Sequence, residues 1–65
     1  MRNEILKTNP EKMKCVIIDD EPLAVELLED FVKKVDTLEL ISTFNNAIDA
    51  VSFINQNNVD LIFLD

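Results

Sequence analysis

The sequence lacks glycine and histidine altogether and contains a single cysteine, Cys15. Without glycine, these residues cannot form the glycine-rich loop that cradles phosphates in many nucleotide-binding proteins. Without histidine, they lack the commonest metal ligand and acid–base group, and one cysteine cannot close an internal disulfide. The absences exclude several common kinds of active site and any disulfide-stapled fold within these residues.

Basic residues are also scarce, with 6 Lys and Arg against 13 Asp and Glu, which gives a net charge of −7. A direct binder of nucleic acid or of an anionic membrane needs a basic patch, so both functions are excluded for this segment. No apolar run approaches the roughly 18–20 residues of a membrane span, and the polar first residues do not form a signal peptide. We therefore expect a cytoplasmic protein with no membrane contact.

The chain divides into a polar beginning and an apolar remainder. Residues 1–12 are mixed in charge, and Asn9-Pro10 disfavours a helix, so we predict a flexible leader; Met13 is a second possible start. Residues 13–65 alternate between strand-like and helix-like patterns. The predicted elements are strands at 15–18, 38–44 and 59–65 and helices at 22–35 and 46–56.

Each predicted helix has an apolar stripe at helical spacing, which we expect to lie in the core. In the first helix the stripe is Leu23, Ala24, Leu27, Leu28, Phe31, Val32 and Val35. In the second it is Ala47, Val51 and Ile54, flanked by Ile48, Ala50 and Phe53. Asn45 and Asn46 are predicted to cap this second helix, and Gln56-Asn57-Asn58 to end it, since asparagine tolerates a left-handed turn.

Strand–helix–strand–helix–strand order predicts an α/β fold with a parallel sheet. The first and third strands are apolar throughout, as expected of strands buried on both faces. If the two helices cross to opposite faces, the first strand lies between the others and the strand order is 2-1-3. Ligands of such doubly wound sheets bind beyond the carboxyl ends of the strands, where the order reverses.

Acids follow both apolar strands: Asp19 and Asp20 after the first, Asp65 after the third. The predicted topology brings all three together, and carboxylates this close need protons or a cation to coexist. Carboxylate oxygens without histidine or cysteine suit Mg²⁺. A carboxylate beside such a metal can also act as a nucleophile toward phosphorus.

The residues Cys15-Val16-Ile17-Ile18-Asp19-Asp20-Glu21-Pro22 and Val59-Asp60-Leu61-Ile62-Phe63-Leu64-Asp65 resemble the receiver domain of bacterial response regulators. The resemblance covers residues 13–65 and implies a flavodoxin-like sheet. It implies that Asp65 accepts a phosphoryl group from a sensor histidine kinase. It also implies that the protein is a phosphoacceptor and not an enzyme. It also implies that Asp20 and Asp65 bind Mg²⁺, with Asp19 holding the metal directly or through water. The opening from Asp19 to Ala24 looks most like receivers that precede a LytTR-type DNA-binding domain.

The resemblance stops at Asp65, which leaves these residues with the amino-terminal half of a receiver. The later strands, and the hydroxyl residue and lysine that contact the phosphoryl group in the family, do not occur within the chain. We therefore expect weak Mg²⁺ binding by these residues alone. Two alternatives remain: a chain that acts only by association through the open strand edge at Leu61–Leu64, and the metal strand of a Mg²⁺-dependent phosphohydrolase or nucleotide hydrolase. Cys15 is expected to be a buried thiol with no role.

Overall fold

A computed structural model describes residues 12–64, in which three parallel strands form one sheet in the order β2-β1-β3. The elements are β1 (Met13–Ile18), α1 (Pro22–Lys33), β2 (Leu38–Phe44), α2 (Ala47–Gln56) and β3 (Leu61–Leu64). The predicted fold class and strand order are confirmed. The predicted leader lies outside the described residues except for Lys12. Neither α1 nor α2 is long and apolar enough to cross a membrane.

The central strand β1 supplies the core on both faces of the sheet. Its residues 15–18 are buried, and successive side chains of a strand point to opposite faces. Val16 and Ile18 pack with Ala50 of α2. On the other face α1 packs against β2 and β1 and buries Val32. The helices therefore cover opposite faces, as a doubly wound fold requires.

A bulge interrupts the pairing of β1 with β2. Cys15 pairs with Leu40 but Val16 pairs with Ser42, so Ile41 is an extra residue on β2. Ile41 packs against the core cluster on the α2 face, and so does Phe44. In a regular strand, residues three positions apart such as Ile41 and Phe44 point to opposite faces of the sheet. The bulge at Ile41 interrupts this alternation, so both side chains lie on the α2 face. Simple alternation along β2 therefore could not assign these side chains.

The prediction that the whole α1 stripe lies in the core is wrong. Leu23, Leu27 and Phe31 are 63%, 64% and 52% exposed. The helix lies over β1 and β2, so the part of its stripe that turns toward β3 is left uncovered. Contact with β3 on this side is an edge-to-face pair between the rings of Phe31 and Phe63, whose centroids are 6.4 Å apart.

The predicted apolar face of α2 is confirmed in part, since Ala50, Phe53 and Ile54 lie in or against the core but Val51 and Ile48 do not. Ala50 is fully buried, while Val51 is 54% exposed and Ile48 more so. Phe53 and Ile54 pack on the core, and the Phe53 ring lies 5.3 Å from that of Phe44. Like α1, this helix packs mainly on β2. The sheet therefore covers only part of its apolar surface, and Val51 and Ile48 lie outside that part.

The helix α2 ends without the predicted left-handed asparagine. Asn57 is extended, with φ −136° and ψ 154°, and no residue from 12 to 64 has a positive φ. Its side-chain Nδ2 instead donates to the Phe53 carbonyl at 2.8 Å. A side-chain amide satisfies a helix-end carbonyl here, which removes the need for a left-handed turn.

Asp60 fastens the beginning of β3 to β1. Its backbone N–H donates to the Lys14 carbonyl at 2.7 Å, and its Oδ2 accepts from the Lys14 N–H at 2.9 Å. The strand begins at Leu61, two residues later than predicted, and Val59 packs against the core cluster.

Candidate functional site

A cavity of about 270 Å³ opens at the carboxyl edge of the sheet. It is lined by residues 18–20 at the end of β1, residues 45–47 between β2 and α2, and Leu64 at the end of β3. Three parallel strands place their carboxyl ends at one edge, so segments distant in sequence meet there. The cavity therefore lies where the strand order predicts a ligand site.

Asp19 is the most constrained of the predicted site residues. It is only 7% exposed, and its backbone N–H donates to the Phe44 carbonyl at 3.0 Å, which extends the β1–β2 ladder. Its Oδ1 accepts from the Glu21 N–H at 2.9 Å. Hydrogen bonds of both the main chain and the side chain therefore hold Asp19 in place in the cavity lining.

Asp20 lines the same cavity but is exposed, in a bend between β1 and α1. Glu21, next in the chain, has a structural role, since its Oε1 accepts from the Leu23 N–H at 3.3 Å and caps α1, which begins at Pro22. The acidic run thus divides into one buried carboxylate, one exposed carboxylate and one helix cap.

Asn45 and Asn46 also line the cavity, which sequence reasoning missed. The predicted capping by Asn46 is confirmed, since its Oδ1 accepts from the Asp49 N–H at 2.9 Å. Its Nδ2 donates to Asp49 Oδ2 at 3.0 Å and to Asn45 Oδ1 at 2.9 Å. The strand order contained the missing signal, because β2 neighbours β1 and the loop after β2 must border the same edge.

Asp65, the third predicted site residue, lies outside the described residues. Its neighbour Leu64 pairs with Ile18, the residue before Asp19, and lines the cavity. Within residues 12–64 no three His, Cys, Asp or Glu side chains gather as metal ligands. Asp19 and Asp20, which are neighbours in the sequence, both line the cavity. The predicted meeting of Asp19, Asp20 and Asp65 at this edge stays a prediction.

The donor chemistry at the cavity fits a hard divalent cation. Two carboxylates and two side-chain amides border it, and these are oxygen donors of the kind that Mg²⁺ and Ca²⁺ accept. One water needs only about 10–15 Å³ of such space, so a cation can keep several waters here. Mg²⁺ in particular retains water beside one or two carboxylates. These residues could hold such an ion through Asp20 and the free side of Asp19.

Cys15 lies away from the cavity, within β1. It is fully buried, and its Sγ donates to the Glu39 carbonyl at 3.5 Å. Burial raises the pKa of the thiol, and the negative charge of Glu39 raises it further. A thiol held in its neutral form is a poor nucleophile, in keeping with the expected structural role.

Comparison with known proteins identifies relatives along most of the chain. It is 40% identical over 53 residues to the transcriptional regulatory protein YpdB of Escherichia coli (strain K12), which covers 82% of this chain and 22% of YpdB. It is 38% identical over 55 residues to protein MrkE of Klebsiella pneumoniae, covering 85% of this chain and 20% of MrkE. Identity to the transcriptional regulatory protein BtsR of E. coli K12 is 34% over 53 residues, covering 82% of this chain and 22% of BtsR.

The chain spans about a fifth of the length of these curated relatives. No protein-family model matches the chain, and neither does any solved structure. YpdB and BtsR are both named transcriptional regulatory proteins. The strand order β2-β1-β3 is the one that the resemblance to a receiver domain implies. On sequence and fold together, the chain is similar to part of these transcriptional regulatory proteins, which supports its resemblance to a response regulator.

Proposed function

We propose that these residues form the amino-terminal part of a receiver module in which Asp65 accepts a phosphoryl group from a sensor histidine kinase. The observation that carries the proposal is the shared cavity of Asp19, Asp20 and Leu64 at the carboxyl edge of the sheet. In the sequence, Asp65 directly follows Leu64, one of the residues that line this cavity. The relationship to response regulators supports the same chemistry.

In this proposal Mg²⁺ is held by Asp20 and Asp65, with Asp19 bound directly or through water. The bound cation offsets the charge of the clustered carboxylates and of the incoming phosphoryl group. Asp19 Oδ1 already accepts from the Glu21 N–H, so its Oδ2 is the oxygen better placed to bind the ion or one of its waters. Exposed Asp20 accepts no such bond from residues 12–64 and is the better direct ligand.

The transfer itself is a simple displacement. A carboxylate oxygen of Asp65 forms a bond to phosphorus while the phosphorus–nitrogen bond of the kinase phosphohistidine breaks. The histidine nitrogen leaves with the bonding electrons and takes up a proton from solvent. Asp65 is then an acyl phosphate, and the protein is the acceptor of the group and not an enzyme that acts on a separate substrate.

The output is proposed to be transcriptional. YpdB and BtsR are named transcriptional regulatory proteins. The net charge of −7 disfavours DNA contact by this segment, so DNA binding is assigned to a LytTR-type domain outside these 65 residues. A kinase donor and a transcriptional output together place the proposed protein in the cytoplasm.

Phosphorylation of the full-length protein that carries these residues tests the proposal. With a small-molecule phosphoryl donor and Mg²⁺, intact-mass spectrometry should show the gain of one phosphoryl group, and chelation should prevent it. Asp65→Asn should abolish the gain, and Asp20→Asn should reduce it strongly because a metal ligand is lost.

Asp36→Asn is the matched control. Asp36 is an exposed aspartate beyond the end of α1, at the opposite edge of the sheet from the cavity. Its loss should leave phosphorylation unchanged. Phosphoryl gain that survives Asp65→Asn would assign the acceptor to another residue and refute the proposal.

A further inference from the structure

The side-chain amides of Asn45 and Asn46 are polar groups of the cavity lining that the proposed phosphoacceptor site does not use. Both residues follow β2, which pairs with β1 on the side away from β3. In a doubly wound sheet of order 2-1-3-4-5, later strands join beyond β3 and none joins beyond β2. The surroundings of the two asparagines therefore do not depend on strands that come after β3.

Hydrogen bonds determine which end of each amide meets which partner. The Asp49 N–H can only donate, so the atom of Asn46 that it meets at 2.9 Å is Oδ1. The other end of Asn46 is Nδ2, which donates at 3.0 Å to Asp49 Oδ2 and at 2.9 Å to Asn45. Because an amide nitrogen only donates, the atom of Asn45 that receives this bond is Oδ1. The cap of α2 thus fixes the orientation of the Asn45 amide.

Asn45 Oδ1 keeps the capacity to accept a second hydrogen bond. A carbonyl oxygen has two lone pairs, and within residues 12–64 only the Asn46 side chain donates to this one. The oxygen is also neutral, so it supplies an acceptor beside the cavity without adding to the repulsion between the carboxylates of Asp19 and Asp20. It can therefore take a hydrogen bond from a bound ligand.

We propose that Asn45 accepts a hydrogen bond from a water molecule on a Mg²⁺ ion bound at Asp20, and so favours this hydrated cation over Ca²⁺. The inference rests on the cation site of the proposed function and adds a selectivity residue to it. A water that binds a cation through its oxygen directs its hydrogens outward, where they need acceptors. Mg²⁺ gives up its waters reluctantly and keeps several of them, whereas Ca²⁺ takes more direct oxygen ligands in a flexible geometry.

Strand spacing places Asn45 beyond the direct ligands of such an ion. In the proposed site the acids after β1 and β3 hold the cation, and β2 is separated from β3 by β1, at about 9–10 Å. A Mg²⁺–oxygen bond is only about 2.1 Å long, and a hydrogen bond from a bound water adds about 2.8 Å. Asn45 therefore acts through water, as a positioning residue for the hydrated ion.

Cation competition on the full-length protein that carries these residues tests the inference. The electron paramagnetic resonance signal of free Mn²⁺ reports its binding, and Mg²⁺ or Ca²⁺ is then added to displace it. Asn45→Ala should raise the dissociation constant for Mg²⁺ roughly three- to tenfold, the effect of one lost hydrogen bond, and that for Ca²⁺ less than about twofold. Asn58→Ala is the matched control. Asn58 is an exposed asparagine between α2 and β3, at the opposite edge of the sheet, and its loss should change neither constant.

Asn46→Ser separates the orientation of Asn45 from the capping of α2. Serine keeps an oxygen for the Asp49 N–H but lacks the amide nitrogen that orients Asn45. It should weaken Mg²⁺ binding when Asn45 is present. It should add nothing once Asn45→Ala has removed the oxygen that it orients, because the two substitutions then act on the same hydrogen bond.

The outcomes distinguish a failure of this inference from a failure of the proposed function. If no Mn²⁺ binds, or if Asp20→Asn leaves its binding unchanged, the cation site is refuted and the inference with it. If Asp20→Asn removes binding but Asn45→Ala leaves the Mg²⁺ constant unchanged, only the role of Asn45 is refuted. Equal weakening of Mg²⁺ and Ca²⁺ by Asn45→Ala would make the residue a direct ligand or a general influence, and would likewise overturn the proposed selectivity.

Discussion

The two sides of β1 differ in how completely the chain covers them. On the β2 side, two helices, a bulge and a seven-residue strand enclose the core. On the β3 side, a four-residue strand carries exposed apolar side chains, and the uncovered parts of α1 and α2 lie on either face. Within residues 12–64, the β2 side is therefore the more completely covered one, and the β3 side leaves more apolar surface exposed. The candidate site lies across both, because its lining comes from all three strand ends.

The largest loss of stability should come from a substitution in β1, the strand that both sides share. Ile17 is fully buried in β1 and pairs with Thr43 on one side and Phe63 on the other. Ile17→Ala should lower the free energy of unfolding by about 2–5 kcal/mol, through lost burial and the cavity that remains. Chemical denaturation followed by circular dichroism measures the change. Ile48→Ala, at a mostly exposed position, should lower the free energy of unfolding much less. If both substitutions lowered it equally, Ile17 would not be the core residue that its burial indicates.

The covered β2 side should depend on the cap of α2. Asn46→Ala removes the acceptor of the Asp49 N–H and should cost about 0.5–2 kcal/mol of stability. Asn46→Ser keeps a side-chain oxygen acceptor without adding a charge beside Asp49 and should retain most of the stability. If Asn46→Ala and the parent chain unfold at the same denaturant concentration, the cap does not contribute to stability.

The open β3 side should respond to a smaller change at Asp60. Asp60→Ala removes the bond from the Lys14 N–H at 2.9 Å and should cost about 0.5–1.5 kcal/mol. Because this contact fastens the start of β3, amide exchange should accelerate within Leu61–Leu64 more than within β2. Asp60→Asn keeps the acceptor oxygen and serves as the control. Uniform acceleration in both strands would show that the two sides unfold together.

The smallest effect should be a dependence of stability on alkaline pH. The pKa of Cys15 is raised by burial and by Glu39, so the folded chain holds this proton more tightly than the unfolded chain. The thiol therefore contributes stability below its unfolded pKa, and this contribution is lost as pH rises through the higher folded pKa. Cys15→Ala should flatten this alkaline decline in unfolding curves, and Glu39→Gln should flatten it less. An unchanged decline in Cys15→Ala would assign it to other groups.

Sequence reasoning predicted the order of elements and the strand order, because these follow from local pattern and topology. It failed where neighbours decide exposure. The apolar stripe of α1 was assigned to the core, but Leu23 and Leu27 extend beyond the part of the sheet that covers them. The bulge at Ile41 has no sequence signal of its own, and Asn57 caps with its side chain where a left-handed backbone was expected.

The proposed function depends most on the cavity at the carboxyl edge being a divalent-cation site. Mn²⁺ binds oxygen sites of the same kind as Mg²⁺, and its unpaired electrons broaden NMR signals of nearby nuclei. Titrating Mn²⁺ into the 15N-labelled chain should first broaden the amides of residues 19, 20 and 45–47 and Leu64, and Asp20→Asn should abolish this while Asp36→Asn should not. Equal broadening around other acids, such as Asp30 and Asp36, would show only general attraction to a chain of charge −7 and would contradict a built cation site.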